Sequence, residues 1–231
     1  AGLSHLSKWT ARQLQRAGAG MLDLLGQVCS AEYVGFDHLA VVVDGAANDV
    51  GLLQNRQPFM LGLLAQLLLQ QGHEVTCFTR GRSGEVPEGA GWIQGDRQDR
   101  AAFERTMQGQ PFDAAIDMQC FTQEDAASSV RAFPYVQHFV QCSTVCTYGI
   151  APDWMPVTED HPWRPTTAYG QHKAQADTIF LEAYVRQGFP VTIVKPSTTY
   201  GPKQGLLRQI AWDFSWIDRI RKGKPLLICG D

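Results

Sequence analysis

The chain has 231 residues, enough to bury a sizeable core in one large domain. Its 20 Lys and Arg against 23 Asp and Glu leave a formal net charge of -3, too balanced for a polyanion-binding surface, so no nucleic-acid partner is expected. The longest apolar run, Phe59–Leu69, is interrupted by Gly62 and Gln66 and falls short of the roughly 18 residues a membrane span needs, so no membrane partner is expected either. Cys29, Cys77, Cys120, Cys142, Cys146 and Cys229 form no Cys-x-x-Cys pair, and most sit in apolar strand-like runs, which reads as reduced thiols in a cytoplasmic protein. Residues 1–22 carry Lys8, Arg12 and Arg16 without an acidic residue, a composition shared by transit segments. Trp9, Leu14, Met21, Leu22 and Leu25 nevertheless form the apolar stripe of an ordinary amphipathic helix, which explains the stretch better.

In chain order, two short helices (3–17 and 20–29) make residues 1–36 a helical extension. Residues 37–231 then alternate strand and helix. Strands are expected at His38–Asp44, His73–Thr79, Trp92–Gly95, Phe112–Met118, Gln137–Ser143, Pro190–Lys195 and Leu226–Cys229. Helices are expected at Pro58–Gln71, with proline in its first turn and Gly72 past its end, and at Arg100–Gln108, Glu124–Phe133 and Ala168–Gln187. Regular alternation implies right-handed crossovers, hence an α/β fold with a doubly wound, Rossmann-like parallel sheet. Gly149–Thr167, with four prolines, is a long connection of the kind that is functional or disordered.

Ligands bind such sheets beyond the carboxyl ends of the strands, and Thr144 lies at one of these ends. Tyr169 and Lys173 are four apart on the long helix and therefore share a face. A phenol ordinarily titrates near 10, and a neighbouring ammonium favours its ionised form, so Tyr169 is expected to act as acid or base near neutral pH. The Thr144 hydroxyl would hold the same substrate oxygen. The competing reading makes Tyr169 and Lys173 a solvated helix face and Thr144 a satisfied strand end.

The order of motifs resembles the extended short-chain dehydrogenase/reductase family of nucleotide-sugar epimerases, dehydratases and reductases. Gln141–Gly149 (QCSTVCTYG) is similar to that family's strand-five signature, whose catalytic Ser or Thr corresponds to Thr144. Lys195–Pro202 (KPSTTYGP) resembles the segment that runs along the nicotinamide and substrate and includes Pro196, with Lys195 in place of the usual arginine. Asp96 stands where the family contacts the adenine amino group, and Leu226–Asp231 resembles the start of its Gly-Asp-Gly turn. The resemblance implies that Tyr169 exchanges a proton with a substrate hydroxyl or carbonyl, and that Lys173 lowers its pKa and holds the nicotinamide ribose. It also implies a nucleotide-sugar or related polyol substrate and a homodimer.

Two departures stand out. The glycine turn after the first strand reads Gly45-Ala-Ala-Asn48-Asp-Val-Gly51, with Asn48 for the middle glycine and a longer spacing to Gly72 than the family has. Asn tolerates left-handed backbone angles, so the turn is feasible with an insertion; the alternatives are a register at Arg56–Gly62 or a degraded cofactor site. The sequence also stops where relatives continue into a small substrate domain, so residues 37–231 are expected to hold the dinucleotide-binding domain and only the start of a truncated substrate domain. After the second strand, Thr79-Arg80-Gly81-Arg82 offers two guanidiniums suited to a 2'-phosphate, so NADP is expected over NAD, with NAD possible. Dehydratases of the family follow the catalytic Thr with Asp-Glu; Val145 and Cys146 cannot do that carboxylate work, which leaves epimerisation or carbonyl reduction. Glu159-Asp160-His161 are adjacent and point apart, so no metal site is expected. The rival function is a non-catalytic binding or regulatory protein on the same fold.

Overall fold

The computed structural model describes residues 38–42, 57–81, 86–197 and 215–225. The expected helical extension over 1–36, the late strand at Leu226–Cys229, and Gly45, Asn48, Gly51 and Arg82 lie outside the described residues. The chain divides into two units, Ala1–Ser197 and Thr198–Asp231. In the second, the described part is a short helix, α5 (Ser215–Arg221), with an Asp218–Lys222 ion pair one turn apart.

The first unit is built as β1 (His38–Val42), α1 (Gln57–Gln70), β2 (Glu74–Thr79), β3 (Gly91–Gln94), α2 (Arg100–Gln108), β4 (Ala114–Asp117), α3 (Gln123–Ala132), β5 (His138–Cys142), α4 (Ala168–Gln187) and β6 (Val191–Val194). All neighbouring strands pair parallel, in the order β3-β2-β1-β4-β5-β6. This is the expected doubly wound, Rossmann-like sheet. The order in which the chain winds across the sheet reverses between β1 and β4, which pair side by side with Val42 opposite Asp117. That crevice is where such sheets take ligands.

Alternation along each strand divides the core in two. From β1, Leu39 and Val41 enter one cluster with Leu64 and Leu68 of α1, Val75, Ile116 and Val140. Ala40 and Val42 enter the other, with Phe103 and Met107 of α2, Phe133, Phe139 and Phe180 of α4. Rings interlock through this second layer, Phe78 to Phe103 at 5.1 Å and Phe139 to Phe180 at 5.2 Å. Strands covered on both faces read as near-continuous apolar runs, and β1, buried at four of its five positions, is one.

The ladders are shorter than the apolar runs that announce them: β4 spans Ala114–Asp117 rather than Phe112–Met118, and β6 spans Val191–Val194. Helix starts are held by side chains that accept orphan backbone N–H groups. Asp99 caps α2, accepting from Ala102 N, and Thr122 with Asp125 forms a reciprocal capping box on α3. Thr167 caps α4, accepting from Gly170 N at 3.1 Å.

Residues 149–167 contain no helix or strand yet fold around one side chain. His161 is 2% exposed; its Nε2 accepts from Asp153 N at 2.8 Å and its Nδ1 faces Pro162 O at 3.1 Å, the pattern of a neutral ring protonated at Nδ1. The Trp154 and Tyr148 rings lie 4.4 and 5.6 Å from it. Gly149 enters this loop at φ +88°, and a Cβ there would sit 2.3 Å from Arg164 O, so no other residue fits the approach.

Candidate active site

β5 delivers Ser143 and Thr144 to the carboxyl edge of the sheet, where the chain turns at once into a 3-10 helix, Val145–Tyr148. Thr144 caps this turn: its Oγ1 accepts from Cys146 N at 3.2 Å, and its carbonyl accepts from Thr147 Oγ1 at 3.0 Å. With an acceptor site of Oγ1 occupied, its O–H remains to donate. The turn is joined to β6 beyond the ladder, where Val145 N donates to Pro196 O at 3.2 Å. The structure thus brings Pro196 to the Thr144 turn.

The first turn of α4 rests on the same 3-10 helix. A Cβ at Gly170 would lie 2.6 Å from Cys146 O, so the close approach depends on glycine. That contact sets Tyr169 beside Thr144, whose side chain favours the ionised phenol. Gly170→Ala should lower the melting temperature even though Ala favours a helix interior by about 1 kcal/mol, because helix and turn must separate. A thermal melt that rises would contradict this packing.

Tyr169 is 43% exposed, whereas Lys173, one turn on, is 1% exposed. The Lys173 ammonium donates to Cys120 O at 2.7 Å and Cys142 O at 2.8 Å. It also sits 4.6 Å over the Phe121 ring, which in turn lies 6.4 Å from the Tyr169 ring. Lys173 does not belong to a solvated helix face as the competing reading has it, because it points inward behind the phenol, whereas Tyr169 is partly exposed. His172, between them, is exposed.

The electrostatics correct one expectation. Desolvation pushes the Tyr169 hydroxyl above its ordinary value, and the Cys142 and Cys146 thiols push the same way. The Lys173 charge and the Thr144 side chain act downward, as expected, but do not prevail. The ring is open to solvent while its hydroxyl end is enclosed against Thr144, so the phenol keeps its proton at neutral pH in the chain by itself.

Farther along the edge, Arg80 and Asp96 come together beyond β2 and β3, with Arg80 Nη1 3.9 Å from Asp96 Oδ2. Arg80 is 10% exposed and Asp96 44% at their side chains. Asp96 Oδ1 accepts from Gln98 N at 2.8 Å. Val145 and Cys146 are both exposed, Glu159 and Asp160 point to solvent, and His161 is turned inward away from them.

Sequence reasoning missed Cys120, Phe121 and the carbonyl of Cys142. A carbonyl leaves no trace in residue identity, so Cys120 and Cys142 could not be found as ligands of Lys173. Phe121 did carry a signal: the Thr122-x-x-Asp125 capping box marks the start of α3 and fixes the preceding residue in the short connection that follows β4.

Residues 62–231 match the NAD dependent epimerase/dehydratase family. The chain is 28% identical over 210 residues to the 2'-dehydrokanamycin reductase of Streptomyces kanamyceticus, a match covering 90% of this chain and 56% of that protein. It is 31% identical over 177 residues to a UDP-glucose 4-epimerase of Corynebacterium glutamicum, covering 68% and 50%. The chain therefore spans about half the length of these curated relatives. Its fold is similar to that of a dTDP-glucose 4,6-dehydratase from Bacillus anthracis solved in complex with NAD, with a TM-score of 0.59 at 21% identity, covering 84% of this chain and 64% of that one. The chain belongs to the NAD dependent epimerase/dehydratase family, the extended short-chain dehydrogenases and reductases whose motifs its sequence displays.

Proposed function

We propose that this chain carries the acid–base centre of an NAD(P)-dependent carbonyl reductase or epimerase acting on a nucleotide sugar or related polyol. The observation that carries the reading is the arrangement of an accessible Tyr169 beside Thr144, with the Lys173 ammonium buried behind it. Lys173 spends two of its three N–H bonds on carbonyls, which leaves one for a ribose hydroxyl. Pro196, at the Thr144 turn, fits the flank of a nicotinamide. Arg80 and Asp96 fit the adenosine end, with Gly45, Asn48, Gly51 and Arg82 assigned to the phosphates and ribose.

A bound nicotinamide supplies the hydride chemistry. Tyr169 gives its phenol proton to the substrate oxygen when a carbonyl becomes a hydroxyl, and takes it back in the reverse direction. Thr144 donates its O–H to that oxygen and fixes its position. Lys173 stabilises the phenolate left behind, which is the direction its charge already acts. Val145 and Cys146 provide no carboxylate for water loss, which favours reduction or epimerisation over dehydration.

The absence of a carboxylate at the end of β2, together with Arg80, favours NADP over NAD. Leu181 and Val185 are one turn apart on α4 and exposed to 44% and 74%, an apolar strip suited to a homodimer. Buried free Cys77, Cys120 and Cys142 fit a cytoplasmic setting.

Thermal melts with each dinucleotide test the reading. Ligand at 100 times its dissociation constant should add about 2.7 kcal/mol, roughly 5–10 °C for a chain of this size, with NADPH exceeding NADH. Equal melts with and without every dinucleotide would overturn the functional assignment.

A further inference from the structure

We propose that Asp177 is a positioning residue for the Thr144–Tyr169 pair, one of its carboxylate oxygens tying the ends of β5 and β6 to α4 from beneath the site. The proposal deepens the functional reading above and rests on it. Tyr169, Lys173 and Asp177 occupy successive turns of α4, and Asp177 is fully buried. Its Oδ2 accepts from Ser143 Oγ at 2.7 Å and from the Lys195 ammonium in a very short contact. Lys195 also donates to Thr147 Oγ1 at 2.9 Å and lies 4.1 Å over the Trp163 ring. Thr144 is therefore bracketed: the residue before it is bound directly to Asp177, and Thr147 is bound to Asp177 through Lys195.

Packing alone does not require this arrangement. Ala176, Phe180 and Ala183 already supply α4 with buried apolar contacts, and burying a carboxylate with an ammonium is no more stabilising than filling the space with apolar side chains. Moreover, Asp177 Oδ1 has no partner, so the carboxylate is not there to satisfy a dense polar network. What its bonds share is their targets, all on the two segments that shape the turn under Thr144. Burial pushes the Lys195 ammonium down and the Asp177 charge holds it up, so the clamp stays ionic only while both partners are present.

The readout that separates positioning from mere stability is the ionisation of Tyr169. The groups acting on its hydroxyl are Lys173 on its own helix, Cys142 on β5, and Cys146 and Thr144 on the turn. Thr144 favours the phenolate only when its hydroxyl is in place. Displacing it should raise the Tyr169 midpoint, whereas deleting a nearby carboxylate would by direct Coulomb action lower it. The two causes have opposite signs.

Stopped-flow pH jumps reading tyrosinate absorbance, with the Tyr169→Phe chain subtracted, record that midpoint before the chain unfolds. Ser143→Ala, which removes one hydroxyl and no charge, should raise it by about half a pH unit, the effect of one ordinary hydrogen bond. Asp177→Ala should also raise it, by less than the displacement of Thr144 alone would give, because the lost carboxylate acts in the opposite direction. A midpoint unchanged or lowered in Ser143→Ala overturns the proposal, and that variant decides the matter alone if Asp177→Ala fails to fold. Dinucleotide melts on the same samples test the functional reading independently: absent stabilisation with a raised midpoint would remove the function and leave the clamp.

Discussion

Tyr169→Phe should reduce turnover by about 10²- to 10⁴-fold, the range typical of a positioned acid or base. The substitution removes one oxygen. The ring keeps its place 6.4 Å from Phe121, and Lys173 keeps both carbonyl partners because neither bond involves the phenol. Dinucleotide stabilisation in a thermal melt should therefore persist while the chemical step is lost. The pH dependence of the wild-type chain follows from the sign of the Tyr169 shift. Desolvation holds the phenol above its ordinary value, so carbonyl reduction, which needs the proton, should be sustained across neutral pH and fall only on the alkaline side. Substrate turnover of the Phe variant within a few-fold of wild type would remove Tyr169 from its assigned role.

The elements of the sheet were readable because strands covered on both faces must be apolar throughout, as in HLAVV, and because helices announce their ends, as Thr122 and Asp125 do for α3. Helices α2 and α4 were expected at the residues where they occur, Arg100–Gln108 and Ala168–Gln187. Within the candidate site, Thr144, Tyr169 and Lys173 were legible from spacing, since helical periodicity alone puts Lys173 one turn behind Tyr169. Their balance of forces was not. Whether Lys173 or desolvation governs the phenol depends on how deeply the hydroxyl is enclosed, and that enclosure comes from Cys146, Phe121 and the approach permitted by Gly170. Asp177 escaped for a similar reason. A carboxylate at that position reads as one more polar helix residue until the fold shows Ser143 and Lys195 converging on it from two different strands.

The largest stability effect is expected at Asp117, in the crevice where β1 and β4 part. Asp117 is fully buried, and each oxygen is used: Oδ1 accepts from Gln119 N at 2.8 Å, and Oδ2 accepts from Ser129 Oγ at 2.6 Å and from Arg97 Nη2 at 3.3 Å. Arg97 is itself 1% exposed, held further by Asp125 O at 2.7 Å and by its 4.2 Å approach to the Phe103 ring. Its Nε and Nη1 have no partner, so the guanidinium is already incompletely satisfied before anything is removed. Asp117→Ala would leave this cation buried without its counter-charge, and breaking a buried pair from one side costs about 3–5 kcal/mol. Chemical denaturation should show that loss. Removing both charges, with Arg97→Met added to Asp117→Ala, should cost less than the sum of the two single variants, because the unpaired cation disappears with its partner. Additive losses, or a cost below 1 kcal/mol for Asp117→Ala, would mean that the ionic contact contributes little and that α3 is held to the sheet by its apolar face alone.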